Sequence, residues 1–145
     1  MRRAHPTEHQ EQVALCDWWR IACKGYGLPE YVLLAIPNAG GFSGNFKSNV
    51  VRVQKLMREG VRKGAPDMLL AVPTRCRDDE GNATGYLGDP GLFIENKRKG
   101  EKPTESQAEF HLALRRLGWH VVVAQGFEEA KRAITAYLKD YRRQA

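Results

Sequence analysis

The sequence lacks several features that define common protein classes. It has three cysteines in 145 residues, Cys16, Cys23 and Cys76, and no Cys-x-x-Cys pair. This pattern argues against a disulfide scaffold and predicts free thiols in a reducing cytoplasm. It also has no apolar run long enough to span a membrane, no signal-peptide pattern, no internal repeat and no visible domain boundary. We therefore predict one soluble, intracellular domain over residues 1–145 without a membrane partner.

Basic residues are in excess. The net charge is +6 and the isoelectric point is about 9.4. This balance suits a polyanionic partner such as nucleic acid, but many basic proteins bind none, so the charge is only supporting evidence.

The region from residue 64 to residue 100 combines two apolar runs with charged residues. Met68 to Val72 and Leu92 to Ile94 are typical of neighbouring buried strands. Asp67 precedes the first run, and Glu95 and Lys97 close the second. Because side chains alternate along a strand, Glu95 and Lys97 share one face. Charges beside an apolar core must be paired, hydrogen-bonded or bound to a metal, so this group needs an explanation.

A site that binds a divalent cation and a phosphodiester would explain these charged residues. Asp67 and Glu95 are hard oxygen ligands, and the backbone carbonyl of Asn96 can supply another, which suits Mg²⁺ or Mn²⁺ with water completing the shell. Lys97 is then placed to orient a nucleophilic water or to stabilise charge that develops on the phosphate. The alternative is a structural Glu-Lys pair on a strand.

The ordered set of motifs around these residues resembles the PD-(D/E)XK nuclease superfamily, and specifically its virus-type replication-repair nuclease (VRR-NUC) branch. Each motif is short, but together they span most of the chain. They are Ile36-Pro37-Asn38-Ala39-Gly40, Glu59-Gly60-Val61, Lys63-Gly64-Ala65-Pro66-Asp67, Phe93-Ile94-Glu95-Asn96-Lys97 and Ser106-Gln107.

The resemblance implies metal-dependent hydrolysis of DNA phosphodiesters, often in branched structures. It also implies a metal-binding glutamate in the first helix, predicted from Glu8 to Cys23 behind a Thr7 cap. Glu8, with Gln12 four residues later, is the better match, and Glu11 is the rival. An acid that complements the helix dipole is an equally simple interpretation of either one.

A zinc-peptidase motif overlaps this segment, because His5-Pro6-Thr7-Glu8-His9 matches His-x-x-Glu-His. We reject it, since Pro6 favours an extended His5 and a cap at Thr7 leaves His5 outside the helix.

Cationic residues cluster around the central region. A predicted amphipathic helix over residues 46–59 has Val50, Val53 and Met57 on its apolar side and basic residues on the other. We predict phosphate contacts here, although an ordinary solvated helix face explains any single residue equally well. The predicted nucleic-acid-binding residues are Lys47, Arg52, Lys55, Arg62, Lys63, Arg98 and Lys99. Asn38, in a glycine-rich turn, is a secondary site candidate.

Gln107 has two interpretations. With Thr104 it forms a capping-box pattern at the start of a helix, which is purely structural. It also shares a helical stripe with Phe110 and Leu114, so it can point towards Lys97, where the resemblance places a site glutamine. His111 and His120 are predicted to lie at the surface or the edge of the core.

The predicted fold class is α/β: a restriction-endonuclease-like sandwich with a mixed four-stranded sheet flanked by helices. The strands are expected near residues 31–36, 68–72, 92–97 and 119–124. A hairpin loop or flap over residues 73–90 implies antiparallel pairing of the middle strands, and the helix crossover after it implies parallel pairing. A final helix is predicted from Phe127 to Tyr141.

The leading functional hypothesis is a Mg²⁺- or Mn²⁺-dependent DNA endonuclease with Asp67, Glu95, Lys97, Glu8 and Gln107 as its site. Its small size suggests a homodimer acting on branched DNA, as a Holliday-junction-type resolvase does, in the cytoplasm of a bacterial cell with a phage or prophage. The alternatives are a restriction-type or repair nuclease, and a non-catalytic nucleic-acid-binding module.

Overall fold

A computed structural model describes residues 5–37, 46–139 and 141. The described chain forms four helices and six strands, with one 3₁₀ turn at Glu30–Val32. The helices are α1 (Glu8–Tyr26), α2 (Phe46–Arg58), α3 (Glu105–Arg116) and α4 (Phe127–Tyr137). The strands are β1 (Leu33–Ala35), β2 (Met68–Leu70), β3 (Arg75–Arg77), β4 (Ala83–Leu87), β5 (Leu92–Lys97) and β6 (His120–Gln125). Asn38 lies outside the described residues.

The main sheet has four strands in the order β1-β2-β5-β6. β1 and β2 pair antiparallel, as do β2 and β5, whereas β5 and β6 pair parallel across α3. This is the mixed sheet that the hairpin and the crossover predicted, and the α/β fold class is confirmed.

One face of the sheet holds the main core. Alternate residues of β2 and β5, including Leu70 and Ile94, are fully buried against α1 and α4. Helix α1 contributes Leu15 and Trp19 at helical spacing, and α4 contributes Ile134. Asn96 points to this same side, where its Nδ2 lies 3.5 Å from Gln12 Oε1 of α1.

The opposite face, here called the α3 face, bears the other alternate residues. On β5 these are Phe93, Glu95 and Lys97, and in register on β6 they meet Val121, Val123 and Gln125. Asp67, one residue before Met68, belongs to the same face because Met68 points into the core. The predicted alternation therefore places all three charged residues on the side that α3 covers.

Helix α1 runs one turn further than the sequence suggested, to Tyr26 rather than Cys23. Tyr26 is buried and stacks on Trp19 with 6.2 Å between ring centroids, so this contact extends the helix. Gly27 then ends it in the left-handed conformation at φ 68°.

The first strand is shorter than predicted. Tyr31 lies in the 3₁₀ turn and is 80% exposed. The indole Nε1 of Trp19 donates to the carbonyl of Glu30 at 2.9 Å, which holds this segment against α1 rather than in the ladder. Only Leu33–Ala35 pair with β2.

Residues 73–90 form a hairpin with its own two-stranded sheet, β3 and β4. Its turn is closed by the Asp78 carboxylate, which accepts hydrogen bonds from the backbone N–H groups of Glu80 at 3.1 Å and Asn82 at 2.8 Å. Because Leu70 pairs with Leu92, the hairpin leaves the sheet at the end opposite Asp67 and Lys97. It is therefore not a flap over these residues.

Helix α2 has the predicted bounds to within one residue, but none of its described side chains is buried. Val50 is 38% exposed and Met57 is 43% exposed. The last helix ends at Tyr137, earlier than predicted, where the Tyr137 hydroxyl donates to the carbonyl of Val72 at 2.9 Å. No helix in the described residues is both long and apolar enough to cross a membrane.

Candidate active site

Asp67 stands where β2 begins, half-buried on the α3 face. The backbone N–H of Asn96 on the neighbouring strand donates to its Oδ2 at 2.7 Å. Burial, followed by the negative charge of Glu95, raises the pKa of Asp67 to about 6, and the Asn96 hydrogen bond and Lys97 offset only part of this. The ionised form of Asp67 is therefore destabilised by its burial and by the neighbouring carboxylate of Glu95.

Glu95 is fully buried, with 0% exposure, in the middle of the group. Its Oε1 accepts hydrogen bonds from Gln107 Nε2 at 2.6 Å and from Lys97 Nζ at 3.1 Å. Its Oε2 lies 3.4 Å from the Nε2 of His111. A buried charge is tolerated only with such partners.

Lys97 extends over Glu95, with 11% of its side chain exposed. Its Nζ also lies 4.0 Å from Glu8 Oε1. Burial lowers its pKa, but the Glu95 hydrogen bond and the charges of Glu95, Glu8 and Asp67 together outweigh burial, so the pKa is raised. The side chain is therefore an ammonium at neutral pH in the metal-free protein.

The two glutamates at the start of α1 have different surroundings. Glu8 points towards Lys97 and its side chain is 44% exposed. Glu11 instead accepts a hydrogen bond at 2.8 Å from the backbone N–H of Phe127, the first residue of α4. Its carboxylate occupies a helix N-terminus, where negative charge is favourable. The geometry brings Glu8 to the group and assigns Glu11 a structural contact.

Gln107 combines both interpretations of the sequence. Its Oε1 accepts from the backbone N–H of Thr104 at 2.9 Å, and Thr104 Oγ1 accepts from the Gln107 N–H, which completes the capping box. The Nε2 of the same amide donates to Glu95. The start of α3 is thus tied to β5 by one side chain.

A glycine sets the distance between β2 and α3. Gly64 has φ 83°, and a Cβ at this position would lie 2.7 Å from the carbonyl carbon of Ser106. The backbone before Asp67 therefore touches the first turn of α3, beside Gln107.

His111 is not at the surface, which was one of the two positions predicted for it. The ring is only 2% exposed and contacts Glu95 directly. His111 follows Gln107 by one helical turn, so the helical stripe that contains Gln107 also contains His111. The sequence therefore carried a signal that His111 lies near Glu95. His120, in contrast, is exposed and lies 3.3 Å from Asp89.

A cleft of about 490 Å³ opens beside Lys97. It is lined by the N-terminal segment and the start of α1, by Lys97 and the residues after β5, and by the end of β6, and its lining includes three glutamates, Glu8, Glu11 and Glu101. Arg98 and Lys99 also line the cleft and are exposed to solvent.

The cationic residues near α2 are also exposed, and some have local partners. Arg62 Nη1 donates to the carbonyl of Met57 at 2.7 Å, which caps the end of α2. Lys55 Nζ lies 3.8 Å from Glu59. The side chain of Lys47 lies outside the described residues, and Arg52 and Lys63 are exposed.

The His-x-x-Glu-His segment at residues 5–9 does not form a zinc site. Thr7 caps α1 through a capping box with Gln10, and His5 precedes that cap. Within the described residues, no group of three or more His, Cys, Asp and Glu side chains is arranged to hold a metal ion.

The remaining donor set fits a hard divalent cation with few protein ligands. Asp67 and Glu95 are close enough for their charges to interact unfavourably, and a cation between them would relieve this repulsion. Mg²⁺ typically uses one or two carboxylates and keeps several waters, so two carboxylates suffice.

Comparison with solved structures finds the same fold in a protein described as a VRR_NUC domain protein. The TM-score is 0.69 at 24% sequence identity, and the match covers 94% of this chain and 91% of that chain. No protein-family model and no curated protein matches the chain. The chain has the VRR-NUC fold, so the resemblance read from the motifs is confirmed at the level of fold.

Proposed function

We propose that this protein is a divalent-metal-dependent endonuclease that hydrolyses DNA phosphodiester bonds. The observation that supports this most is the contact between an ammonium and a buried carboxylate, Lys97 and Glu95, next to the half-buried Asp67. The VRR-NUC fold is the second support. A structural ion pair alone would not explain why a second carboxylate is held beside the first.

Each residue of the candidate site has a proposed role. Asp67 and Glu95 are the proposed direct ligands for Mg²⁺ or Mn²⁺, together with the backbone carbonyl of Asn96. Glu8 of the first helix, which lies near Lys97 and does not complete a three-carboxylate group, is proposed to bind the cation through a coordinated water. The cation, when bound, lowers the pKa of a coordinated water and neutralises phosphate charge.

Lys97 lines the cleft, where its positive charge can stabilise a phosphate that becomes more negative during attack. Gln107 holds Glu95 in place. Neither role requires Lys97 to lose its proton, which agrees with its raised pKa.

DNA is the proposed substrate because two exposed cations, Arg98 and Lys99, line the cleft beside Lys97. Exposed cations of this kind contact phosphates without reading sequence. Arg52, Lys55, Arg62 and Lys63 extend the cationic surface to α2, and Lys47 remains a candidate from the sequence.

We further propose that the substrate is branched DNA and that the protein acts as a homodimer. A four-way junction presents two symmetry-related strands, and a two-fold dimer would present two sites to them. The apolar side of α2 leaves Val50 38% exposed and Met57 43% exposed, and a partner copy could cover these two residues. Light scattering on wild type and Met57→Asp tests the proposed dimer. We expect wild type to be a dimer and Met57→Asp to shift towards monomer. A wild-type monomer at all concentrations would contradict it.

The central experiment is cleavage of labelled four-way junction, flap, single-stranded and linear duplex DNA, with Mg²⁺, Mn²⁺ or EDTA. We expect wild type to cut only with metal and Lys97→Ala to bind DNA but to cut at least 100-fold more slowly, the scale typical of lost transition-state stabilisation. Lys24→Ala, near the far end of α1, is the control and should cut normally.

The same cleavage assay distinguishes two alternative functions from the proposed one. A restriction-type or repair nuclease would follow sequence or lesion rather than branching. A non-catalytic binding module would bind the DNAs and cut none of them with any metal, in which case the nuclease proposal is wrong.

A further inference from the structure

Glu95 is almost saturated with hydrogen-bond donors. An ionised carboxylate offers about four acceptor positions, two on each oxygen. In the described part of the chain, Gln107 and Lys97 occupy both positions on Oε1, and His111 occupies one on Oε2. One position on Oε2 is left for a further partner.

His111 is the donor that the proposed chemistry does not use. Its ring is 2% exposed, so it lies behind Glu95 rather than in contact with bulk solvent. The contact runs from His111 Nε2 to Glu95 Oε2 at 3.4 Å. Which atom donates in this contact depends on the His111 tautomer, and an ionised carboxylate could only accept from a proton on Nε2.

We propose that His111 is a positioning residue that holds Oε2 of Glu95 towards the divalent cation. The inference rests on the proposed function and extends it. A glutamate side chain has three rotatable bonds, and donors on both oxygens, Gln107 on one and His111 on the other, leave the carboxylate one orientation. Without His111, Oε2 loses its only donor from the described residues and can rotate away from the cation.

The test compares two substitutions at this position. His111→Leu removes the donor at similar size, and His111→Gln keeps an N–H donor near the Nε2 position. Mn²⁺ dissociation constants are measured on metal-free protein by calorimetry, and cleavage rates on the DNA that wild type prefers. Partners that orient metal ligands are worth about 10- to 100-fold in affinity or activity, so His111→Leu should weaken Mn²⁺ binding by at least about 10-fold. His111→Gln should recover most of this loss.

The control is His120→Leu, which removes the exposed histidine and should leave Mn²⁺ affinity unchanged. A merely structural role for His111 predicts something else: both variants lose thermal stability, and neither changes Mn²⁺ affinity. That outcome overturns the proposal, as does equal loss of affinity in His111→Leu and His111→Gln.

A second measurement covers the case in which His111→Leu does not fold. Long-range ¹H–¹⁵N spectra of the wild type assign the proton of the His111 ring, which should be on Nε2. A bare Nε2 overturns the proposal.

Failure of the nuclease proposal is distinguishable. Wild type that binds Mn²⁺ but cuts no DNA overturns the proposed activity, while the affinity comparison still tests His111. Wild type that binds no Mn²⁺ overturns both.

Discussion

Asp67 and Glu95 are the residues at which folding and the proposed function make opposite demands. Burial of Asp67, and after it the negative charge of Glu95, destabilise the ionised carboxylate in the metal-free fold, as the raised pKa of Asp67 indicates. The same crowding provides charge for a cation. Such conflicts are typical of functional sites, where local stability is lower than the fold could provide.

Asp67→Asn should therefore stabilise the metal-free protein. The amide keeps an oxygen that can accept from Asn96, but it removes the repulsion with Glu95. We expect a gain of about 1 kcal/mol in unfolding free energy in EDTA, after allowing for the partial solvent exposure of Asp67.

Denaturant unfolding at pH 7.5 with EDTA or Mg²⁺ measures the effect. Mg²⁺ should stabilise wild type and leave Asp67→Asn unchanged. A less stable Asp67→Asn in EDTA, or equal Mg²⁺ stabilisation of both proteins, would contradict this account.

The two helix-one glutamates form a matched pair for a second prediction. Glu8→Gln removes the charge near Lys97 and should reduce cleavage with little effect on stability. Glu11→Gln weakens a charged contact to the first residue of α4, so it should cost about 1 kcal/mol in stability with cleavage nearly intact. Thermal melts and cleavage rates of both variants decide it, and the reversed pattern would show that Glu11 is the site residue.

At the level of elements, the site depends on how closely β2 approaches α3. Gly64 permits this approach, and Gln107 then reaches Glu95 from the first turn of α3. Neither element alone brings the carboxylates and the amide together.

Gly64→Ala should reduce both stability and cleavage. The added Cβ would overlap the Ser106 backbone, and φ of 83° is unfavourable for alanine by about 1–2 kcal/mol. Gly118→Ala is the control, because its φ is 88° but no atom lies within 4 Å of the added Cβ. We expect Gly118→Ala to lose stability alone and Gly64→Ala to lose cleavage as well. Equal cleavage rates at equal folded fraction would disprove the role of this contact.

At the scale of the whole molecule, the net positive charge is the property that bears on the proposed binding of DNA. A basic surface raises the affinity for DNA through counterion release and makes binding sensitive to salt. The proposed surface extends from the cleft at Arg98 and Lys99 to the exposed cations near α2.

Replacing Arg98 and Lys99 by alanine should reduce the slope of log affinity against log salt concentration by about 2, one for each lost phosphate contact. Fluorescence anisotropy with labelled duplex at several salt concentrations measures this slope. The charge-matched control replaces Arg20 and Lys24, which are exposed towards the other end of α1. If both double variants change the slope equally, net charge rather than this surface controls binding.

Much of the architecture followed from local patterns. The alternation in β5 placed Glu95 and Lys97 on one face, and the helix crossover required parallel pairing of β5 and β6. Errors occurred where distant contacts overrode local preference: the Trp19 indole shortens the first strand, and packing of Tyr26 lengthens α1.

The sequence by itself determined the type of fold and the chemical groups of the candidate site, because alternation, caps and glycine positions act over a few residues. Only the tertiary structure decided between Glu8 and Glu11 as the residue near Lys97, since both lie in the first turn of α1. It also placed His111 on Glu95 and joined the two roles of Gln107. These outcomes depend on how α1, α3 and α4 pack against β5, and no short stretch of sequence specifies those distances.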